Sequence, residues 1–216
     1  MYEQAVNIDT TGSLQTEDAT IPEGKAADGT WYDPSALRIV RWWMSAMPAQ
    51  LDQFTFLDLG SGKGRVLFVA AQQGFRKVIG VEYALELHNA AQENLRRSTL
   101  PEKDRIELVL GDAGTFEFPP DPLIIYGCNP FNETVMARVI ENLTRSYESL
   151  RRPILIVYEQ HRHEPPRTKF DNVRVLASVP YLNHRPLTKP RVLDRVWLLQ
   201  PYLVDMFESS EARQLQ

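Results

Sequence analysis

One segment constrains this chain more than any other: Phe56-Leu57-Asp58-Leu59-Gly60-Ser61-Gly62-Lys63-Gly64-Arg65. A short apolar run, 54–59, leads into glycines at every second position, and Val66, Leu67, Val69 and Ala70 then mark the core side of a helix over 64–73. A short apolar run bounded by glycines reads as a parallel strand buried on both faces. A glycine turn between such a strand and a helix lets backbone approach a ligand closely. The physics of the turn alone leaves three ligands open: a dinucleotide, a nucleoside with a cationic tail, or a phosphate.

The spacing separates them. A dinucleotide fingerprint, G-x-G-x-x-G, counted from Gly60 needs its third glycine at position 65, where this chain has Arg65. A phosphate loop needs Lys followed by Ser or Thr, and Lys63 is followed by Gly64. Asp58 stands two residues before the turn; an anion there repels a pyrophosphate and favours a ligand with an ammonium group.

The rest of the chain supplies a frame for this turn. Asp33-Pro34 predicts an N-cap and first helical residue, opening a helix that carries Leu37, Ile39, Val40, Trp42, Trp43 and Met47 and ends near Pro48. Strands are expected over 54–59, 77–81 (ending at Glu82), 105–110, 123–128 and 153–159, with helices over 85–97 and 132–150. Gly74 suits the end of the helix that follows the glycine turn. Two late strands, 173–179 and 191–199, have no clear helix between them. Strand–helix alternation predicts an α/β fold of Rossmann-like, doubly wound type, a three-layer αβα arrangement with a mostly parallel sheet and an antiparallel strand pair at one edge. Residues 1–30 are polar and acidic without an apolar period, and read as a flexible arm or lid. The domain is expected over 31–207, with a polar tail at 208–216.

With these pieces in place, Asp58-Leu59-Gly60-Ser61-Gly62-Lys63-Gly64 resembles the first cofactor motif of the class I, seven-strand S-adenosylmethionine (SAM)-dependent methyltransferases. Gly80-Val81-Glu82 ends the second strand where that family has an acid for the ribose hydroxyls; an acid about 20 residues beyond the turn suits a ribose diol on general grounds as well. Gly111-Asp112-Ala113 follows the third strand and Asn129-Pro130-Phe131 the fourth, again at the family's motif positions. The resemblance implies SAM as cofactor. It gives Gly60, Ser61, Gly62 and Gly64 to the turn around the methionine part, Asp58 to the amino group and Glu82 to the ribose. Tyr83 flanks the adenine, Asp112 and Ala113 read its edge, and Asn129 closes the site.

The fourth-strand motif bears on the acceptor. Asn129-Pro130-Phe131 is similar to a shortened form of the Asn/Asp-Pro-Pro-Tyr motif of enzymes that methylate planar amino groups, with one proline missing and Phe for Tyr. The layout also resembles the non-SET lysine methyltransferases, whose upstream Tyr-x-Pro segment is here Tyr32-Asp33-Pro34, which implies a substrate-side role for Tyr32. The resemblance therefore implies an amine nitrogen on a protein or small molecule as acceptor, with Asn129, Pro130 and Phe131 at the reacting centre. The alternatives are a non-catalytic SAM-binding module and an NAD-dependent oxidoreductase; Arg65 and Asp58 argue against the latter.

Composition narrows the setting. The 216 residues include one cysteine, Cys128, so neither a disulfide within the chain nor a cysteine-built metal site is expected. His161 and His163, two apart in a loop, are not read as metal ligands. A net charge of −4 argues against a broad phosphate-tracking surface, so a nucleic-acid acceptor is not expected. With no secretory leader and no run of membrane-spanning length, the expected setting is cytoplasmic.

Overall fold

A computed structural model of the chain describes residues 2–22, 29, 31–45 and 50–159, together with the strand segments 173–180 and 192–199. The elements in chain order are helix α1 (Tyr2–Val6), helix α2 (Leu37–Ser45), strand β1 (Thr55–Leu59), helix α3 (Arg65–Gln72), strand β2 (Lys77–Glu82), helix α4 (Leu85–Arg97), strand β3 (Ile106–Leu110), strand β4 (Leu123–Cys128), helix α5 (Glu133–Ser149) and strand β5 (Ile154–Glu159). Two further strands follow, Val173–Pro180 and Val192–Leu199.

The first five strands form a parallel sheet in the order β3-β2-β1-β4-β5. Strand β1 is central and wholly buried. Its side chains alternate between two apolar layers, as the period of a strand dictates. Phe56 joins Val78, Ile124 and Tyr126 on the face covered by α2 and α3, while Leu57 and Leu59 join Ile79, Val81 and Ile125 on the face covered by α5. Chain order reverses between β1 and β4, the place where open α/β sheets bind ligands at the carboxyl ends of their strands.

The helices follow their local signals. Gly74 at φ +91° ends α3 in the left-handed conformation that glycine adopts readily. Asn132 caps α5, its side chain accepting from the Val135 N–H at 3.0 Å. Asp33 does not cap a helix, because α2 starts at Leu37. Tertiary hydrogen bonds hold the intervening segment instead: the Ser35 carbonyl accepts from Arg65 Nη1 at 3.1 Å, and the Tyr126 hydroxyl donates to Ser35 Oγ at 3.1 Å. Trp43 is buried and stacks on Tyr126 with ring centroids 5.1 Å apart. The side chains of Ile39 and Trp42, and residue Met47, lie outside the described residues.

Residues 2–22, within the stretch 1–30 read as a flexible arm or lid, include side chains packed on the core. Val6 and Ile8 are buried in the α3-side core, and Thr10 is fully buried. The segment runs along α4: Asp9 N–H donates to Asn94 Oδ1 at 2.8 Å, Ser98 Oγ donates to the Val6 carbonyl at 3.0 Å, and Leu85 N–H donates to the Thr20 carbonyl at 3.0 Å. Two apolar anchors are too few to show a period, so pattern reading had nothing to detect there.

Candidate active site at the carboxyl ends of β1, β2 and β4

The glycine turn is wound tightly over the end of β2. Gly60 and Ser61 N–H groups both donate to the Val81 carbonyl, at 2.8 and 3.1 Å, and Gly64 N–H returns to the Ser61 carbonyl at 2.9 Å. Gly60 and Gly62 take φ of +79° and +55°, which side-chain-bearing residues adopt only with strain. Their missing side chains are also missing volume. A Cβ at Gly60 would lie 2.5 Å from Pro130 Cβ, and one at Gly62 would lie 2.3 Å from Tyr32 Cε2. The turn is thus gripped by Pro130 on one side and the Tyr32 ring on the other. Gly80, not singled out from sequence, has the same use: its Cβ would meet Leu67 and Ser61 within 3 Å.

A cleft of about 740 Å³, its open mouth included, lies beside this turn. Of the residues expected at the site, Tyr32, Asp58, Gly60, Ser61, Glu82, Tyr83, Ala113, Pro130 and Phe131 line it. Gly62, Gly64, Asp112 and Asn129 are not among its lining residues. Two buried carboxylates dominate its chemistry, Asp58 at 2% and Glu82 at 4% exposure. Glu82 accepts from Gly62 N–H at 2.8 Å and from Ala84 N–H at 2.9 Å, so one side chain fixes both the turn and the start of α4. Burial holds its carboxyl above the usual carboxylate range, against the opposing pull of those N–H donors.

Asp112 is engaged elsewhere. Its Oδ1 accepts from Gly114 N–H at 2.7 Å, and its Oδ2 pairs with Arg138 of α5 at 3.0 Å. Its neighbours Gly111 and Ala113 face the cleft in its place. Asn129 adopts φ +43°, a left-handed turn that asparagine tolerates better than most residues, and it turns the chain from β4 into Pro130 and Phe131. Phe131 forms an isolated antiparallel bridge with Gly29, which itself sits against the Tyr83 hydroxyl.

Sequence reasoning did not single out several lining residues. Val81, Leu87, Tyr126, Ser35 and Arg65 also line the cleft. Alternation along β4 was the available signal for Tyr126; nothing local marks Leu87 or Ser35. His161 and His163 lie outside the described residues, and among the described residues no three His, Cys, Asp or Glu side chains cluster as metal ligands. Among the same residues no helix is long and apolar enough to cross a membrane.

These residues suit a nucleoside with a cationic tail. Buried carboxylates can answer an ammonium group and a ribose diol, the left-handed glycines admit close backbone approach, and Val81, Leu87 and Ala113 add apolar surface to the lining. A family model described as "Methyltransferase domain" matches residues 56–151. Among solved structures, the precorrin-6y C5,15-methyltransferase of Geobacter metallireducens is 14% identical, with 77% of this chain and 89% of that one covered at a TM-score of 0.54. The precorrin-8w decarboxylase of Methanobacterium thermoautotrophicum is 16% identical, with 79% and 93% covered at a TM-score of 0.53. The 23S rRNA methyltransferase ErmE is 16% identical, with 81% and 75% covered at a TM-score of 0.50.

Proposed function

We propose that the chain, whose residues 56–151 match a methyltransferase-domain model, is a class I, Rossmann-like SAM-dependent methyltransferase that methylates an amine nitrogen on a protein or small molecule. In this reading SAM is the cofactor, and when bound it would supply a methyl group already activated on a sulfonium. The observation that carries the site assignment is the pair of buried carboxylates facing one cleft, Asp58 and Glu82. In this reading Asp58 orients the cofactor's ammonium group and Glu82 holds the ribose. Val81, Leu87, Ala113 and Tyr83 sandwich the adenine. Asp112, committed to Arg138, acts by shaping the Gly111–Ala113 turn rather than by direct contact.

Group transfer from a sulfonium needs alignment and dryness more than a strong base. Pro130 against Gly60, Phe131 bridged to Gly29, and Tyr32 over Gly62 support a reading in which these residues wall off the transfer point from water. In this reading Asn129, which turns the chain from β4 into Pro130, accepts an amine hydrogen on its amide oxygen and keeps the nitrogen's lone pair aimed inward. The names of the structural neighbours span precorrin and ribosomal RNA, so the fold leaves the acceptor open. The Asn129-Pro130-Phe131 motif and the net charge of −4 favour an amine over a nucleic acid.

The same reading takes residues 31–207 as the methyltransferase domain, set in the cytoplasm. Val173–Pro180 and Val192–Leu199 form its antiparallel edge pair; the supports are the registers of Leu155 with Leu198 and of Val175 with Trp197. Residues 208–216 lie outside the described residues.

Calorimetric titration with SAM, S-adenosylhomocysteine and NAD tests the cofactor site. Micromolar binding of the first two without NAD is expected, and Asp58→Ala should weaken it at least about tenfold, ~1.4 kcal/mol. Equal binding by a folded Asp58→Ala protein removes Asp58 from the site. Screening amines with labelled methyl then addresses the acceptor. Asn129→Gly keeps the left-handed backbone and deletes only the amide, so S-adenosylhomocysteine affinity should hold while turnover falls about tenfold or more. Full turnover by this variant makes Asn129 a backbone element only.

A further inference from the structure

Both basic residues of the glycine motif, Lys63 and Arg65, hydrogen-bond to the N-terminal segment. Lys63 Nζ donates to the Thr11 carbonyl at 2.6 Å and lies 5.4 Å from the centre of the Tyr32 ring. Arg65 reaches three separate stretches of chain. Its Nε donates to Thr10 Oγ1 at 2.7 Å, its Nη1 to the Ser35 carbonyl at 3.1 Å, and its Nη2 to Glu3 Oε1 at 2.9 Å. Thr10 Oγ1 also donates to Glu3, which closes a small network around the guanidinium.

We propose that Arg65 is a positioning residue that fastens residues 2–14 and the Tyr32 ring over the cofactor turn, so that cofactor affinity depends on the N-terminal segment. The links are continuous. Thr10, held by Arg65, accepts the Tyr32 hydroxyl on its carbonyl at 2.7 Å. Tyr32 N–H donates to the Leu14 carbonyl at 2.8 Å, pairing the two backbones. The Tyr32 ring fills the space beside Gly62, and Gly62 N–H is held by Glu82. The Arg65 and Glu3 side chains are 15% and 18% exposed, so their attraction is less screened than that of a surface pair. A lysine at 65 carries the charge but lacks the planar fork needed to hold Thr10, Ser35 and Glu3 together. This explains why the position where a dinucleotide fingerprint needs glycine carries arginine here.

The inference rests on the cofactor site proposed above, and the test separates the two. The full chain and its Arg65→Lys and Tyr32→Phe variants are titrated with S-adenosylhomocysteine, and amide hydrogen exchange is followed over residues 10–14, 32 and 60–64. Arg65→Lys should weaken binding about tenfold and speed exchange at Tyr32 and Gly62. Tyr32→Phe loses only the hydroxyl bond to Thr10 and should weaken binding about threefold to fivefold. Both variants binding as the parent does, whatever their melting temperatures, would reduce Arg65 to a stabilising residue and overturn the proposal. Failure of the unmodified chain to bind S-adenosylhomocysteine would overturn the cofactor site and this inference with it.

Discussion

Glu82→Ala should lower affinity for SAM and S-adenosylhomocysteine at least about tenfold, ~1.4 kcal/mol, and lower the melting temperature as well. The carboxylate holds two N–H groups, those of Gly62 and Ala84, in a site that is 4% exposed. Leaving buried donors without an acceptor costs about 1–3 kcal/mol each. Glu82→Gln keeps the volume but sets an amide N–H₂ against one of the two N–H donors, so it should fall between parent and alanine. A pH dependence follows from the raised carboxyl. Between the usual glutamate range and the raised native value, the ligand-free native state binds more protons at this carboxyl than the unfolded chain does. This contribution to stability is therefore complete below the usual glutamate range and is lost as pH rises through the raised native value. Ribose hydroxyls donate to the ionised form, so affinity should rise with pH across that same window, with protons released on binding. Calorimetry in buffers of different ionisation enthalpy reads the released protons, and Glu82→Gln should abolish them. An unchanged affinity in a folded Glu82→Ala protein would remove Glu82 from the cofactor site.

Gly62→Ala should be more severe for binding, with affinity falling about a hundredfold, ~2.7 kcal/mol. Two effects combine. A left-handed alanine is strained by about 1–2 kcal/mol, and Gly62 sits at φ +55°. The new methyl would also stand 2.3 Å from Tyr32 Cε2, so the ring must leave its place against the turn. Gly74→Ala separates the two effects: φ there is +91°, yet no atom lies within 4 Å of the new Cβ. That variant should lose about 1 kcal/mol of stability and keep its affinity. Melting curves and titrations of the two variants side by side decide the matter. Equal behaviour would mean that Tyr32 has no part in the cofactor turn.

How legible the site was depended on distance along the chain. Burial of β1 on both faces, the strand-to-helix glycine turn and the acid at the end of β2 are local patterns, and the structure brings Asp58, Gly60 and Glu82 to one cleft. Asp112 was read from its place after β3, but its pairing is with Arg138, 26 positions away on a helix across the sheet. Asp33-Pro34 carried a good helix-start signal, and long-range bonds from Arg65 and Tyr126 to Ser35 prevailed over it. A local preference of about 1 kcal/mol gives way when several such bonds and a buried wall depend on another backbone path.

The amino-acid sequence by itself determined the alternation of elements, the sheet's buried centre and the glycines that make a close-approach turn, because period and spacing encode burial and backbone freedom directly. Only the tertiary structure decided what those glycines face. Pro130 meets Gly60 and Tyr32 meets Gly62 because the crossover from β3 to β4 and the placement of the segment that holds Tyr32 bring distant parts of the chain to the same strand ends. Which acid lines the cleft, and which cation fastens the chain, is set by partners far apart in sequence. Arg65 and Glu3 are 62 positions apart, and no local pattern records that pairing.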